Sequence, residues 1–177
     1  MSLERILNAE SVAIIGASKN ETKRGYQTIR TLLDEKYEGR IYPVNPKEKS
    51  ILGFKCYKKV SDIEEPVDVA LVATPAATLP AVLEDCGRNG VSGAVVLAGG
   101  FGEMGPDGRK LENEMIAVAK KHNIRLFGPN TSGMLNMHDH LNLVGLKDAP
   151  QGDIALLTQS GNMALTLITE AKIKSRK

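Results

Sequence analysis

The sequence predicts an α/β fold in which helices cover both faces of a doubly wound, mainly parallel sheet. Two observations predict it. Short, almost continuously apolar runs alternate with segments whose apolar residues recur at helical spacing, and Gly, Pro, Asn, Ser and Thr follow the apolar runs. Strands of a parallel sheet are apolar throughout because helices bury both of their faces. The 177 residues suffice for one such domain, or for one domain and a piece of another.

The first two predicted strands flank an amphipathic helix. Residues 11–16 are an apolar run that ends at a glycine, which predicts the first strand. Residues 26–35 place Ile29, Leu32 and Leu33 on one face, which predicts a helix. Residues 40–44 predict the second strand, which Asn45-Pro46 closes because proline removes a backbone donor.

Three more strands follow in the same pattern. Residues 67–73 and 91–97 are apolar runs on either side of a predicted helix over 79–89, which Gly90 terminates. A further helix is predicted over 108–122, because its apolar residues recur at helical spacing. Residues 124–127 then predict the fifth strand.

The last part of the chain predicts the opening of a second unit. Residues 152–157 predict a strand, and Thr158 to Gly161 predict the start of a helix. We therefore expect one domain over 1–150 and, over 151–177, the first strand and helix of a truncated second α/β domain. An unpaired strand edge exposes backbone groups, so a homo-oligomer is a further expectation.

Composition narrows the class of partner. A net charge of +2 favours neither nucleic acid nor a membrane surface. No apolar run approaches the ~18 residues of a membrane span, and the first ten residues have no long apolar core, so we expect a cytoplasmic protein. Cys56 and Cys86 match no metal or redox spacing, which predicts reduced, buried thiols.

The first strand passes through a glycine turn into a helix with basic residues at its start. Such a turn directs backbone N–H groups and the positive end of the helix dipole at a ligand, which favours phosphate. The turn is not the dinucleotide fingerprint GxGxxG, because Ser18 and Glu21 stand two and five residues after Gly16 and the next glycine is Gly25. We expect a phosphorylated ligand other than NAD.

The loop after the second strand favours a ligand with an additional phosphate. NAD-binding domains carry an acidic residue there, which bonds the ribose 2′-hydroxyl. This chain has Asn45-Pro46-Lys47 instead, with no carboxylate before Glu48. A lysine would attract a phosphate on the ribose, and both NADP and coenzyme A (CoA) carry one. A solvated turn lysine is the alternative interpretation of Lys47.

Six motifs occur in order between about Leu7 and Glu170: IIGAS, YPVNPK, VATPA, CGRNGVSGAVVLAGGFGEMG, GPNTSG and TQSGNMA. Together they resemble the NDP-forming acyl-CoA synthetases, which include ADP-forming acetate–CoA ligases and the α subunit of succinyl-CoA synthetase. The pattern is closer to the ADP-forming acetate–CoA ligases. The resemblance implies a Rossmann-like CoA-binding domain whose ligand is CoA or acyl-CoA and whose partner is an ATP-grasp domain or subunit.

The resemblance also implies the site residues. Those expected to bind CoA are Gly16, Ala17, Ser18 and Arg24 at its phosphates; Val44, Asn45, Pro46 and Lys47 at its 3′-phosphoadenosine end; Thr74, Pro75 and Ala76 along the nucleotide and pantetheine; and Gly99, Gly100, Phe101 and Asn130 toward its thiol. Ser160, Gly161 and Asn162 would donate N–H groups to a phosphate carried on an active-site histidine. That histidine would lie beyond Lys177, so no catalytic residue is expected here.

The resemblance implies part of an acid–thiol ligase that converts acyl-CoA, ADP and phosphate into acid, ATP and CoA. We expect such a chain to bind CoA without turnover. The alternatives are a stand-alone CoA-binding or regulatory module and an NADP-binding oxidoreductase domain.

Four other polar residues carry separate expectations. Glu103 is interpreted either as facing the thioester end or as a solvated turn acid, and these alternatives stay open. His122 is interpreted as a solvated residue at a helix end. His138 and His140 lack an evident third ligand, so no metal site is predicted.

Overall fold

The computed structural model describes residues 3–174. The helices are α1 (Glu4–Leu7), α2 (Arg24–Asp34), α3 (Leu79–Asn89), α4 (Pro106–Lys121) and α5 (Gly161–Lys174). The strands are β1 (Ser11–Ile15), β2 (Arg40–Val44), β3 (Ser50–Ile51), β4 (Phe54–Lys55), β5 (Val69–Val72), β6 (Gly93–Val96), β7 (Arg125–Phe127), β8 (Leu135–Asn136) and β9 (Leu141–Asn142). Short 3₁₀ turns cover Val60–Asp62, Ala76–Thr78 and Gly102–Met104.

A five-stranded sheet with the order β2-β1-β5-β6-β7 forms the centre, and all of its neighbouring strands are parallel. The chain runs from β1 outward to β2 and then returns to β5 on the other side of β1. Strand order therefore reverses at β1 and β5, and open α/β sheets bind ligands beyond the carboxyl ends of the strands at such a point.

Each face of the sheet packs on its own apolar cluster. Ala70 and Val72 of β5 face the cluster beneath α3 and α4, which includes Leu83 and Met115. Val69 and Leu71 face the opposite cluster, which contains side chains of α1 and α2. The predicted doubly wound α/β fold is confirmed.

The predicted strands and helices of the sheet domain differ from the observed bounds by no more than two residues at either end. Helix α3 ends at Gly90, whose φ of 77° is the left-handed conformation predicted for it. Two small hairpins, β3–β4 and β8–β9, have no counterpart in the predictions, because strands of two residues carry no readable periodicity.

The strand predicted over residues 152–157 is wrong. The segment is irregular and exposed, and Ile154 and Leu157 are almost completely solvated. A strand exists only when another strand pairs with it, and within residues 3–174 none pairs with this segment. The predicted helix forms as α5, although none of its residues is buried. The boundary at residue 150 stays a prediction, and residues 175–177 lie outside the described residues.

The two cysteines differ in burial. Cys86 is a fully buried residue of α3, and burial raises the pKa of its thiol to about 12. Cys56 is only half-buried, although burial also raises its pKa. Both are free thiols. Within residues 3–174, no helix is both long enough and apolar enough to cross a bilayer.

Candidate functional site

The turn after β1 lies between the ends of β2 and β5. Gly16 has a φ of +83°, and its N–H donates to the carbonyl oxygen of Val44 at 3.1 Å. A Cβ at Gly16 would lie 2.8 Å from the carbonyl oxygen of Ala73. Both the backbone conformation and the lack of space therefore require glycine at this position.

The next glycine, Gly25, brings α2 against this turn. A Cβ on Gly25 would overlap the carbonyl oxygen of Gly16 and the Cα of Ala17. In the dinucleotide fingerprint, the third glycine permits the same close packing of helix on strand. Gly25 supplies this contact nine residues after Gly16, so the turn is longer but helix and turn still touch.

The charges and the helix dipole at the start of α2 favour the binding of an anion. No acidic residue stands in its first turn, no side chain caps it, and Lys23 and Arg24 are its cap and first residue. The positive end of the helix dipole therefore lies beside two cations. An anionic ligand at this turn would relieve the repulsion among them.

Asn45 joins the turn after β2 to the turn after β1. Its side-chain amide donates to the carbonyl oxygen of Ala17 at 2.7 Å, and its Oδ1 accepts from the N–H of Lys47 at 2.9 Å. An ion pair of 2.8 Å between Lys19 and Glu48 connects the same two turns. The sequence offers no signal for this pair, whose members are 29 residues apart.

Lys47 has an exposed side chain at this edge of the sheet. Within residues 3–174, no carboxylate lies within ion-pair distance of its ammonium group. The charge of Lys47 is therefore available to a ligand, while Asn45 orders the backbone beneath it.

The loops after β5 and β6 lie against each other. Thr74 follows β5 beside Gly16, and its hydroxyl lies 2.8 Å from that of Thr78. Pro75 precedes the 3₁₀ turn Ala76–Thr78. A Cβ on Gly100 would lie 3.4 Å from the Cβ of Ala76, so the two loops form one continuous surface.

Glu103 organises the loop after β6. Its Oε1 accepts from the N–H of Gly100 at 2.5 Å. Hydrogen bonds from backbone N–H groups, Gly100 first, hold the pKa of this carboxyl below its ordinary value. The side chain is exposed and bonded to its own loop, and its position relative to a thioester stays a prediction.

The loop after β7 is the last of the loops at the carboxyl edge of the sheet. The N–H of Asn130 donates to the carbonyl oxygen of Ala98 at 2.9 Å. A Cβ on Gly99 would lie 3.4 Å from the side chain of Asn130 and 3.0 Å from Oε1 of Glu103. Gly99 and Asn130 are themselves exposed, so this pair of loops presents its surface to solvent.

Three predicted ligand contacts do not reach the surface. Ala17 and Phe101 have no exposed surface, and Val44 has almost none. Each belongs to an apolar cluster beneath the turns, because its side chain fills space between the sheet and a helix. Their side chains support the turns in this conformation, and their contact with the ligand stays a prediction.

The family follows from comparison with known proteins. Residues 10–137 match the family model described as CoA binding domain. The chain belongs to the CoA-binding domain family. Over 160 residues it is 46% identical to the ADP-forming acetate–CoA ligase of Methanocaldococcus jannaschii, covering 90% of this chain and 22% of that protein. It is 42% identical over 173 residues to subunit alpha of acetate–CoA ligase [ADP-forming] I of Pyrococcus furiosus, covering 95% of this chain and 37% of that one.

A solved structure shows the same arrangement. The dinucleotide forming acetyl-coenzyme A synthetase 1 of Ca. Korarchaeum cryptofilum, in complex with phosphate and ADP, superposes with a TM-score of 0.92 at 38% identity. The match covers 97% of this chain and 37% of that one. The chain thus spans between about a fifth and two fifths of the length of these relatives. The resemblance stated from the six motifs is confirmed.

The three residues predicted to bind a phosphate, Ser160, Gly161 and Asn162, lie at the start of α5. The hydroxyl oxygen of Ser160 accepts from the N–H of Met163 at 3.3 Å, so Ser160 caps its own helix. Gly161 packs directly on Ser132, since a Cβ on Gly161 would overlap the Ser132 hydroxyl. Asn162 is exposed. Their role at a phosphate stays a prediction.

The histidines lie away from the candidate site. Nε2 of His122 lies 2.7 Å from Glu84, and the ring bridges α4 to α3, so the expectation of a solvated residue is wrong. Hydrogen bonds from Lys121 and His122 lower the pKa of Glu84. Nε2 of His138 lies 3.1 Å from the carbonyl oxygen of Gly152. Among the residues described, no group of three or more His, Cys, Asp or Glu could hold a metal ion.

A cavity of about 690 Å³ lies at the other end of the sheet. Residues 8–10, 37–40 and 138–140 line it, close to the amino ends of β1 and β2. Its lining contains three carboxylates, one arginine and two histidines. Because it lies at the amino ends of the strands, the cavity is separate from the carboxyl edge of the CoA-binding domain.

The contact at Gly25 predicts the effect of one added methyl group. We expect Gly25→Ala to destabilise the CoA-binding domain by about 1–3 kcal/mol, because the backbone of α2 must move away from Gly16. At an ordinary helix position the same change would stabilise by up to about 1 kcal/mol. Gly152→Ala is the matched control, since its Cβ would meet nothing within 4 Å. Urea unfolding measures both, and a Gly25→Ala variant as stable as Gly152→Ala contradicts the contact.

The lowered pKa of Glu103 predicts a pH-dependent stabilisation. A carboxylate whose folded pKa is below its unfolded value stabilises fully above the unfolded pKa, about 4.3, and loses this effect as pH falls through the folded pKa. We expect wild type to melt at a higher temperature than Glu103→Gln at pH 7, and the difference to shrink below about pH 4. Asp107→Asn provides the control, since it also replaces one carboxylate by an amide. A difference independent of pH contradicts the hydrogen bonds to the ionised carboxylate.

Proposed function

We propose that this chain binds CoA or acyl-CoA as the CoA-binding portion of an NDP-forming acyl-CoA synthetase. Its reaction converts acyl-CoA, ADP and phosphate into acid, ATP and CoA, or runs in reverse. The observation that carries the proposal is the pairing of the uncapped start of α2 with Lys47, whose charge has no ion-pair partner within residues 3–174. Two phosphate positions on one edge of a sheet match CoA better than NAD, which has a diphosphate but no additional phosphate at the 2′ or 3′ position of its ribose.

The residues at the edge fit the chemistry of CoA. Gly16 and Gly25 let the glycine turn and the start of α2 pack closely, so a diphosphate would meet the helix N-terminus next to Ser18. Lys47, with Asn45 and Pro46, would hold the 3′-phosphate.

The pantetheine arm would follow the surface that the loops after β5 and β6 share. Thr74, Pro75 and Ala76 line its first part, and Gly99, Gly100 and Asn130 lie toward the thiol end. CoA itself supplies the thiol that carries the acyl group. The contribution of these loops is to bind and orient that arm.

In this proposal the chain contributes binding but no catalytic side chain. Ser160, Gly161 and Asn162 would donate to a phosphate, whose histidine carrier and ATP-grasp partner belong to other parts of the ligase. A cytoplasmic location is part of the same proposal. The relatives named as acetate–CoA ligases support the assignment of this chain to part of a ligase, since the chain matches a portion of each.

Binding of CoA and of its 3′-dephospho form tests the role of Lys47. We expect wild type to bind CoA about fivefold more tightly than dephospho-CoA, since an exposed ion pair contributes about 1 kcal/mol. Lys47→Ala should remove this preference because the cation that recognises the 3′-phosphate is absent. Isothermal titration calorimetry measures all four dissociation constants at one ionic strength.

The control for Lys47→Ala is Lys120→Ala, which changes net charge equally near the end of α4, at the amino edge of the sheet. Lys120→Ala should retain the preference for CoA. If wild type binds both ligands equally, the assignment of Lys47 fails. If NADP displaces CoA in the same titration, the ligand is wrong and the oxidoreductase alternative gains support.

Absence of turnover tests the second half of the proposal. We expect no ATP from this chain incubated with acetyl-CoA, ADP, phosphate and Mg²⁺, although the same sample binds CoA. A luciferase assay detects the ATP. Sustained ATP formation by the chain alone overturns the assignment of a purely binding role.

A further inference from the structure

The side chain of Arg24 lies against the loop after β7. Its Nη2 donates to the carbonyl oxygen of Ser132 at 3.1 Å. Its Nη1 lies 3.2 Å from the position that a Cβ on Gly145 would take. This packing lowers the pKa of Arg24 by desolvation. Arg24 therefore connects the start of α2 to two distant segments of the chain.

Ser132 in turn contacts the start of α5. Its hydroxyl occupies the space that a side chain on Gly161 would need, so the first residue of α5 rests directly on Ser132. A continuous path of contacts thus runs from α2 through Arg24 and Ser132 to α5.

Within the described residues, helix α5 contributes no side chain to either apolar cluster of the sheet. None of its residues is buried, and large apolar side chains such as Met163 and Leu167 are about half exposed. Near its far end, Lys172 forms an ion pair with Asp148 at 2.9 Å. The contact of Gly161 with Ser132 is accordingly a main determinant of where the helix begins.

The other end of the path is a close backbone contact. Gly25 packs on the backbone of Gly16, so the first turn of α2 lies directly against the glycine turn. A planar guanidinium can contact Ser132 and Gly145 together, whereas a lysine ammonium is a single point donor. Displacement or ordering of the glycine turn is therefore transmitted to Ser132 through Arg24.

We propose that Arg24 is a positioning residue, which fixes Ser132 and thereby the start of α5 relative to the turn that binds the ligand. Ordering of that turn by CoA then also orders the first turn of α5. The coupling to CoA rests on the proposed function. The anchoring of Ser132 and α5 by Arg24 does not, because it concerns the chain without ligand.

Hydrogen exchange of the full chain, followed by mass spectrometry, tests both parts. In the free protein, we expect Arg24→Ala to accelerate exchange of amides 131–134 and 161–165 by about tenfold or more, as expected for loss of a hydrogen bond to a charged group. CoA should slow exchange of 161–165 in wild type but not in Arg24→Ala. Calorimetry should show only about threefold weaker CoA binding for this variant.

Two further variants control the result. Arg24→Lys keeps a donor for Ser132 but loses the planar guanidinium with its several fixed donors. Compared with Arg24→Ala, it should therefore partly restore the slowing of exchange at 161–165 by CoA. Arg30→Ala removes an arginine from the exposed side of the same helix, where it pairs with Asp34 at 3.1 Å, and should behave as wild type.

Two outcomes overturn the proposal. More than tenfold weaker CoA binding in Arg24→Ala, with exchange of the free protein unchanged, identifies Arg24 as a direct phosphate ligand. Equal exchange of wild type and Arg24→Ala, with and without CoA, removes any role for it. If wild type binds no CoA, the proposed function fails, whereas the free-state exchange still decides whether Arg24 anchors Ser132 and α5.

Discussion

The contact between the backbone of α2 and the backbone of the turn after β1 is the constraint on which the carboxyl edge depends. It exists because Gly25 has no side chain where the carbonyl oxygen of Gly16 lies. The contact directs the helix dipole into the turn and brings Lys23 and Arg24 to its rim. Without this contact, α2 would lie farther from the turn after β1, and neither the anion site nor the path through Arg24 would have this geometry.

The loops around this contact organise one another before any ligand is bound. Asn45 bonds the turns after β1 and β2, and Glu103 bonds the loop after β6 to itself. Gly99 and Asn130 pack the loops after β6 and β7 together. A ligand that meets loops already held in place loses less entropy on binding. Within residues 3–174, no carboxylate forms an ion pair with Lys47 or with the basic residues at the start of α2.

Much of this arrangement could be predicted from residue order alone. Apolar runs and helical spacing predicted the sheet domain, and the absence of GxGxxG together with Lys47 predicted a ligand other than NAD. The strand over 152–157 failed because its apolar run says nothing about a partner to pair with. The burial of Ala17 and Phe101 was not predicted, because a motif identifies a loop, while packing decides which of its side chains face outward.

The sequence by itself determined the order of strands and helices and the positions of the turns between them. Local periodicity and the conformational limits of glycine and proline act over a few residues, so they can be read along the chain. Only the tertiary structure decided the partners of Arg24, Glu103 and His122. Ser132 lies 108 residues from Arg24, and Glu84 lies 38 residues from His122. Side-chain directions and packing of distant segments set such pairs, and neither leaves a pattern in the residues nearby.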